Sequence, residues 1–227
     1  WSIGSGTPGA NFNAANGTLD PNGLALGTYT FTYFVMGDAP CASDFEDVSV
    51  IINQVPDLTG GSTTICNTIP PQSADLSTLV SDANTTGGTL TFYATSTAAE
   101  NLGVSVNMSQ SPTQTTTYYV RSTTAAGCYD VVPVVVNVNQ PISAGTGGTI
   151  TQCFAVSGLS IIPLSGQLAG ATPGGSWSLK GTSPNNPGAN FDASAGTVNP
   201  NNLAAGTYIF TYSVTGPTSC PNEETDV

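Results

Sequence analysis

The feature that most constrains this chain is a segment that occurs in it twice. The stretch Trp1–Val48 returns, with small changes, as Trp177–Val227. From Ala10 onward the matching residues lie 179 positions apart, so that Gly27-Thr28-Tyr29 returns as Gly206-Thr207-Tyr208. A chain that begins and ends inside one kind of module is expected to be a window of a longer array. Repeat arrays commonly serve as scaffolds, stalks or fibres.

A shorter repeat relates the middle of the chain to its C-terminal part. Cys66 is followed 21 residues later by Gly87-Gly88, and Cys153 is followed at the same spacing by Gly174-Gly175. Because the same landmarks recur in the same order, the two modules are predicted to be diverged copies of one fold. We call them A and B, and they alternate as A-B-A.

The domain boundaries are predicted from two similar junctions, which lie near residues 54 and 140. Each junction follows a strand rich in Val and Ile and contains a proline. The sequence therefore predicts the C-terminal part of an A module at 1–54, a complete B module at 55–140, and an A module without its last strand at 141–227. Because linkers this short give little reach, we expect a semi-rigid, elongated array.

The local pattern is that of β-strands with one buried side. Apolar residues alternate with polar ones, which is the period of a strand. The residues on the apolar face are Tyr29, Phe31, Tyr33 and Val35 in the first copy and Tyr208, Phe210, Tyr212 and Val214 in the second. Short strands, frequent turns and modules of this size predict an all-β fold of tandem immunoglobulin-like β-sandwich modules, with essentially no helix.

Charge and residue types argue against several function classes. The chain has 14 acidic and 2 basic residues, a net charge of −12 and no histidine. Nucleic acids and anionic membranes require cations, and Arg121 and Lys180 are the only two. Histidine is the commonest general base of enzymes. We therefore predict no enzyme, no cofactor, no nucleic-acid partner and no membrane insertion.

The five cysteines are predicted to form structural disulfides within modules. The spacing favours Cys66 with Cys128 and Cys153 with Cys220, and Cys41 is then expected to pair with a residue upstream of Trp1. Metal binding is the weaker alternative, because no close Cys-x-x-Cys or Cys/His set occurs. Disulfides indicate an oxidising, extracellular location.

Acidic residues cluster at corresponding places in the two A modules. The clusters are Asp38, Asp44, Glu46 and Asp47 in the first and Glu223, Glu224 and Asp226 in the second. Calcium prefers such oxygen ligands, but no Asp-x-Asp-x-Asp-Gly series occurs. A solvated acidic loop is favoured and calcium stays the alternative, so no metal site is predicted.

Trp1 and Trp177 occupy matching positions in the two A modules. Both are expected to pack in a core against a disulfide, and a sugar-stacking platform is the alternative.

These motifs resemble a known family. Gly-Thr-Tyr-x-Phe-Thr-Tyr at 27–33 and 206–212, followed by a Cys loop and a Val-rich strand, is similar to the Ig-like repeats of very large surface proteins in gliding, type IX-secreting bacteria. The likeness covers 1–53 and 141–227, and residues 116–128 resemble a sister repeat of the same proteins. The resemblance implies secretion to the cell surface and a role in adhesins, motility filaments or extracellular fibres.

Taken together, the sequence predicts a structural repeat segment of an extracellular fibre, filament or cell-surface stalk. The expected partners are neighbouring modules of the same chain and identical chains in a fibre. The alternative is an adhesin module whose loops bind a glycan or a protein.

Overall fold

The computed structural model describes residues 1–153 and 157–227. They form an all-β protein with little helix. The first eleven strands are β1 (Ser2–Ser5), β2 (Phe12–Asn13), β3 (Thr18–Leu19), β4 (Gly27–Val35), β5 (Asp44–Ile52), β6 (Leu58–Gly60), β7 (Ser62–Cys66), β8 (Ala74–Asp75), β9 (Val80–Asp82), β10 (Thr89–Tyr93) and β11 (Ser105–Val106). The others are β12 (Ser109–Gln110), β13 (Thr116–Thr123), β14 (Tyr129–Asn139), β15 (Thr146–Gly147), β16 (Ile162–Pro163), β17 (Leu168–Ala169), β18 (Ser176–Leu179), β19 (Phe191–Asp192), β20 (Thr197–Val198), β21 (Phe210–Val214) and β22 (Glu223–Asp226).

Helical structure among the described residues is limited to short pieces. The α-helix α1 spans Ser96–Glu100, and the Thr95 hydroxyl caps it by accepting a bond from the Ala98 N–H. Single turns of 3-10 helix precede short strands in both kinds of module, at Gly9–Asn11, Leu76–Leu79, Leu164–Gln167 and Gly188–Asn190. No helix in the described part of the chain is long and apolar enough to cross a membrane.

The chain divides into two compact units. Unit 1 contains residues 1–61, 76–108 and 118–134. Unit 2 contains residues 62–75, 109–117 and 135–227. The module boundaries near residues 54 and 140 and the elongated arrangement stay predictions.

In unit 1, β4 lies between β1 and β5 in an antiparallel sheet. The β4–β5 ladder runs from Gly27 opposite Ile52 to Val35 opposite Asp44. Smaller ladders join β2 to β3 and β6 to β9. Strand β10 lies between β11 and β13.

In unit 2, two three-stranded sheets have the orders β18-β21-β22 and β16-β20-β19. Strand β15 pairs with β17, β8 pairs with β12, and the end of β14 runs parallel to β7. Leu164, Val198 and Phe210 form one buried cluster, whose members come from both three-stranded sheets and the turn before β17. The two sheets therefore face each other across a core, as the layers of a β-sandwich do.

The repeated sequence folds into repeated ladders. In the first copy Ile3 lies opposite Phe31, and in the second Leu179 lies opposite Phe210. The next ladder is also preserved, because Thr32 faces Asp47 as Thr211 faces Asp226. The two copies thus share one register on both sides of their central strand.

The B module uses the same ladder as the A module. Asp75 pairs with Ser109, and Pro163 pairs with Thr197, at matching positions 88 residues apart. Leu76 donates its backbone N–H to Met108, and Leu164 donates to Gly196 in the same way. The middle and C-terminal modules therefore share this ladder, and the division into A and B modules stays a prediction.

A tyrosine hydrogen bond marks the fold class. The Tyr29 hydroxyl donates to Ala25 O over 2.9 Å, and the Tyr208 hydroxyl donates to Ala204 O over 2.8 Å. A bond from a strand tyrosine to the backbone a few residues upstream is a hallmark of immunoglobulin-like sandwiches. The predicted all-β, immunoglobulin-like class is confirmed.

Candidate functional site

The cysteines pair differently from the sequence prediction. Cys66 is bonded to Cys220, whereas Cys41, Cys128 and Cys153 are free thiols. The Cys66 and Cys220 Cα atoms lie 5.0 Å apart, within the range of disulfides. The predicted pairs Cys66–Cys128 and Cys153–Cys220 are therefore not those of the structure, and the pairing of Cys41 with a residue upstream of Trp1 stays a prediction.

Backbone packing explains this pairing. Cys66 ends β7 opposite Asn139, the last residue of β14. The side-chain amide of Asn139 donates to Thr218 O over 2.6 Å, and the side-chain amide of Gln72 donates to Ser219 O over 3.2 Å. The turn before β22 is therefore held beside the end of the parallel ladder. Module spacing alone could not predict this contact, since it joins residues that the sequence assigns to two successive modules.

Both cations have structural roles. Arg121 is buried, its guanidinium donates to Ala99 O over 2.8 Å, and it lies 3.5 Å from the centre of the Tyr129 ring. Lys180 forms an ion pair with Asp226. These contacts occupy the only positive side chains of the protein.

Acidic side chains stabilise turns and strand pairs. The Thr86 hydroxyl and the Asp57 N–H donate to Asp82 and lower its pKa to about 2. The pKa of Asp226 is also lowered, first by its hydrogen bond from Lys180 and then by that from Thr211. No group of three or more Cys, Asp or Glu side chains in residues 1–153 and 157–227 is arranged to hold a metal ion.

One half of the core is built alike in both copies. Phe12 stacks on Phe31 with ring centres 4.3 Å apart, and Phe191 packs on Phe210 at 4.8 Å. Phe31 and Phe210 are 3% and 4% exposed. Both partners of each ring pair belong to the repeated segment, so each copy supplies this contact from its own residues.

The other half differs between the copies. We define the inner face of the first copy as Trp1, Tyr33 and Val35, and that of the second as Trp177, Tyr212 and Val214. In both copies the tryptophan packs on the tyrosine with ring centres 4.9 Å apart. Tyr33 and Val35 are 46% and 49% exposed, whereas Tyr212 and Val214 are each 5% exposed. The tryptophan contact that the structure shows is therefore with a tyrosine, and the first inner face is open.

A preceding stretch of chain covers the second inner face. We call residues 142–172 the cover segment, of which 154–156 lie outside the described residues. Its Ala144 is buried with Tyr212 and Val214, and Ile142, Leu168 and Ala171 pack around them. The Tyr212 hydroxyl donates to Thr172 O over 2.7 Å and accepts from the Gly175 N–H over 2.8 Å.

The two copies also differ on the outer face of the sheet. Phe34 and Phe45 lie directly opposite each other on β4 and β5 and are 51% and 66% exposed. The matching pair in the second copy is Ser213 and Glu224. This pair was not predicted from the sequence. The signal was available, because Phe45 and Glu224 are matching residues of the repeat, 179 positions apart.

Comparison with known proteins adds little to this description. No protein-family model and no curated protein matches the chain. Among solved structures, the chain is similar to the protocadherin gammaB7 EC3-6 cis-dimer structure, with 13% identity, a TM-score of 0.34, and coverage of 99% of this chain and 67% of that one. A TM-score at this level carries no argument about function.

Proposed function

We propose that this chain is a structural repeat segment of an extracellular fibre, filament or cell-surface stalk. The observation that supports it most is the recurrence of two ladder registers along one chain, since β8–β12 matches β16–β20 and β1–β4 matches β18–β21. Repeated modules of one fold extend a chain without adding new chemistry, which is the task of a spacer. Both cations and the hydrogen-bonded carboxylates described above stabilise the fold itself, which suits a role without catalysis.

The extracellular location is part of the proposal. The bond between Cys66 and Cys220 favours an oxidising compartment, because cytosolic thiols are normally kept reduced. The resemblance to surface repeats of gliding, type IX-secreting bacteria agrees with this location. Neighbouring modules and identical chains are the partners that the proposal expects.

The shape of the protein in solution tests the structural role. Small-angle scattering on the intact chain should give a maximum dimension much larger than that of a sphere of 22.9 kDa. A compact particle would count against a stalk or filament, since a spacer must hold its ends apart.

A second candidate function is binding through the exposed aromatic pair Phe34 and Phe45. Paired exposed aromatic rings are a feature of interaction surfaces, and this pair is absent from the second copy. The adhesin alternative predicts saturable binding of the chain to a glycan array or to cells. The matched control is the double variant Phe34→Ser, Phe45→Glu, which installs the residues of the second copy. Equal, unsaturable binding signals for the parent and the double variant would contradict the adhesin alternative and favour the structural role.

A further inference from the structure

The open inner face of the first copy has the features of a surface that is normally covered. Trp1, Tyr33 and Val35 are 38%, 46% and 49% exposed and lie together on one side of the sheet. The matching side chains of the second copy are buried by the cover segment. Burying such side chains would add hydrophobic stabilisation, which their exposure forgoes.

We propose that the open inner face of the first copy is a docking site for a cover segment supplied by a further A module, with the chemistry of residues 142–172. The inference goes beyond the proposed function, because it holds wherever the protein resides. The partner is defined by its chemistry, since it presents small and branched apolar side chains and one backbone carbonyl.

Parts of the cover segment bond to each other, and a further A module would carry the same bonding residues. Thr146 and Gly147 pair with Ala169 and Leu168 in the β15–β17 ladder. At its two ends, the Thr172 N–H donates to Ser143 O over 2.7 Å, and the Ser143 N–H donates to the Thr172 hydroxyl over 3.0 Å. Tyr212 and Val214 pack against Ala144, Leu168 and Ala171, which lie within or beside these bonded stretches.

The first copy retains the groups that such a segment contacts. Tyr33 presents the same hydroxyl that Tyr212 uses to bond Thr172 O, on a ring held by the same tryptophan packing. In the second copy the backbone just after the cover segment lies so close to Tyr212 that a Cβ at Gly175 would overlap the tyrosine ring. Because the ladders of the two copies have the same register, these groups are placed alike.

The edge of the first sheet points to the same occupant. Strand β5 is the outer strand of the order β1-β4-β5 in the described part of the chain. In the second copy β15 of the cover segment comes so close to β22 that a Cβ at Gly147 would overlap Asp226 O. An uncovered edge strand leaves a row of backbone groups available for pairing. One incoming segment would therefore cover both the face and the edge.

The test adds the proposed occupant to the full chain. A second copy of residues 141–176 is placed directly before Trp1, which reproduces the junction between Ser176 and Trp177. The added copy carries Cys153→Ser so that it brings no thiol, and Trp177→Phe leaves Trp1 as the single tryptophan reporter. The extension should shift Trp1 emission to shorter wavelength and raise the melting temperature of the transition that Trp1 reports.

Two variants of the extended chain distinguish specific docking from a general effect of added residues. Ala144→Asp in the added copy alone should abolish both changes, because a carboxylate would be buried beside Tyr33 and Val35 without a partner. Tyr33→Phe should lower the melting temperature of the extended chain and leave that of the parent chain unchanged, since only docking gives the hydroxyl a buried acceptor. Unchanged emission and melting on extension would overturn the proposal.

Self-association is the competing occupant and is measured in the same series. Analytical ultracentrifugation should show that the parent chain is a monomer at low micromolar concentration. Its Trp1 emission should be that of an exposed ring. A dimer in which Trp1 is already shielded, and which the extension does not dissociate, would show that a second copy of the chain covers this face. That result would also overturn the proposal.

Discussion

In both copies of the repeated segment the central strand carries the same alternation, stands in the same register and packs a phenylalanine pair into a local core. On the inner face the copies differ, because only the second copy has a cover segment over its tryptophan, tyrosine and valine. Tyr212 is consequently 5% exposed, whereas Tyr33 is 46% exposed. The comparison separates what a strand determines by itself from what its neighbours must add.

The largest effect should come from the inner-face tyrosines. Tyr212→Ala removes a buried ring and leaves the Gly175 N–H and the Thr172 carbonyl without a partner, so we expect a loss of about 3–5 kcal/mol in unfolding free energy. Tyr33→Ala should cost at most about 1 kcal/mol, because its ring is half exposed. Denaturant unfolding followed by tryptophan fluorescence measures both.

The phenylalanine pairs provide the control for that experiment. Phe31→Ala and Phe210→Ala should each cost about 3–5 kcal/mol, since both rings are buried to the same extent. If Phe31→Ala is harmless as well, the first copy is not folded and the contrast at Tyr33 has another cause.

The disulfide should give the next largest difference. Cys220→Ser should destabilise the protein by about 2–4 kcal/mol under oxidising conditions. Cys41→Ser, the matching change in the first copy, should have almost no effect because Cys41 is an exposed free thiol.

Alkylation of the denatured, unreduced protein checks the pairing directly. The structure predicts label on Cys41, Cys128 and Cys153. Label on Cys41 alone would support the pairs that the module spacing favoured and would contradict the structure.

A smaller effect is expected from the tyrosine hydroxyl alone. Tyr212→Phe should cost about 1–3 kcal/mol, because it leaves a buried donor and a buried acceptor unpaired. Tyr33→Phe should be neutral in the parent chain. Equal losses for the two variants would show that Tyr33 already has a buried partner.

The smallest effect should be a difference in acid stability. Hydrogen bonds from the Ser194 hydroxyl and the Ala195 N–H lower the pKa of Asp192 below its usual value of 3.8. Its contribution to stability is therefore complete above about pH 4 and is lost as the pH falls through the lowered pKa. The matching residue of the first copy is Asn13, which does not titrate.

The substitution Asp192→Asn makes the second copy resemble the first at this turn. Its unfolding free energy, reported by Trp177 in a Trp1→Phe background, should depend less steeply on pH below 4 than that of the parent. The slope should be unchanged in the variant if the Asp192 carboxylate contributes nothing.

The sequence was sufficient to predict the fold class and the matching strands. Alternation in a strand such as β4 identifies which side chains share a face, and the repeats identify equivalent positions. The sequence could not predict which faces are covered, because Tyr33 and Tyr212 both follow Phe-Thr in the same alternating strand and differ in the distant segment that packs on them. The prediction of the disulfide pairs was wrong for the same reason. The hydrogen bonds of Asn139 and Gln72 that place Cys220 beside Cys66 join residues far apart in the chain.

The candidate surfaces were only partly visible in the sequence. The pairing of Phe34 with Phe45 depends on the β4–β5 register, which the sequence did not predict. A register depends on the turn between two strands, and here that turn has a different sequence in each copy, at 36–43 and 215–222. Comparing the two copies position by position would have identified both residues.

The exposure of the inner-face tyrosines tests the central comparison most directly. Hydroxyl-radical footprinting of the intact chain, read by mass spectrometry, measures each tyrosine in one experiment. Tyr29 at 5% exposure and Tyr129 at 41% serve as protected and exposed references. Tyr33 should be modified at a rate close to that of Tyr129, and Tyr212 at a rate close to that of Tyr29. Equal protection of Tyr33 and Tyr212 would contradict the account.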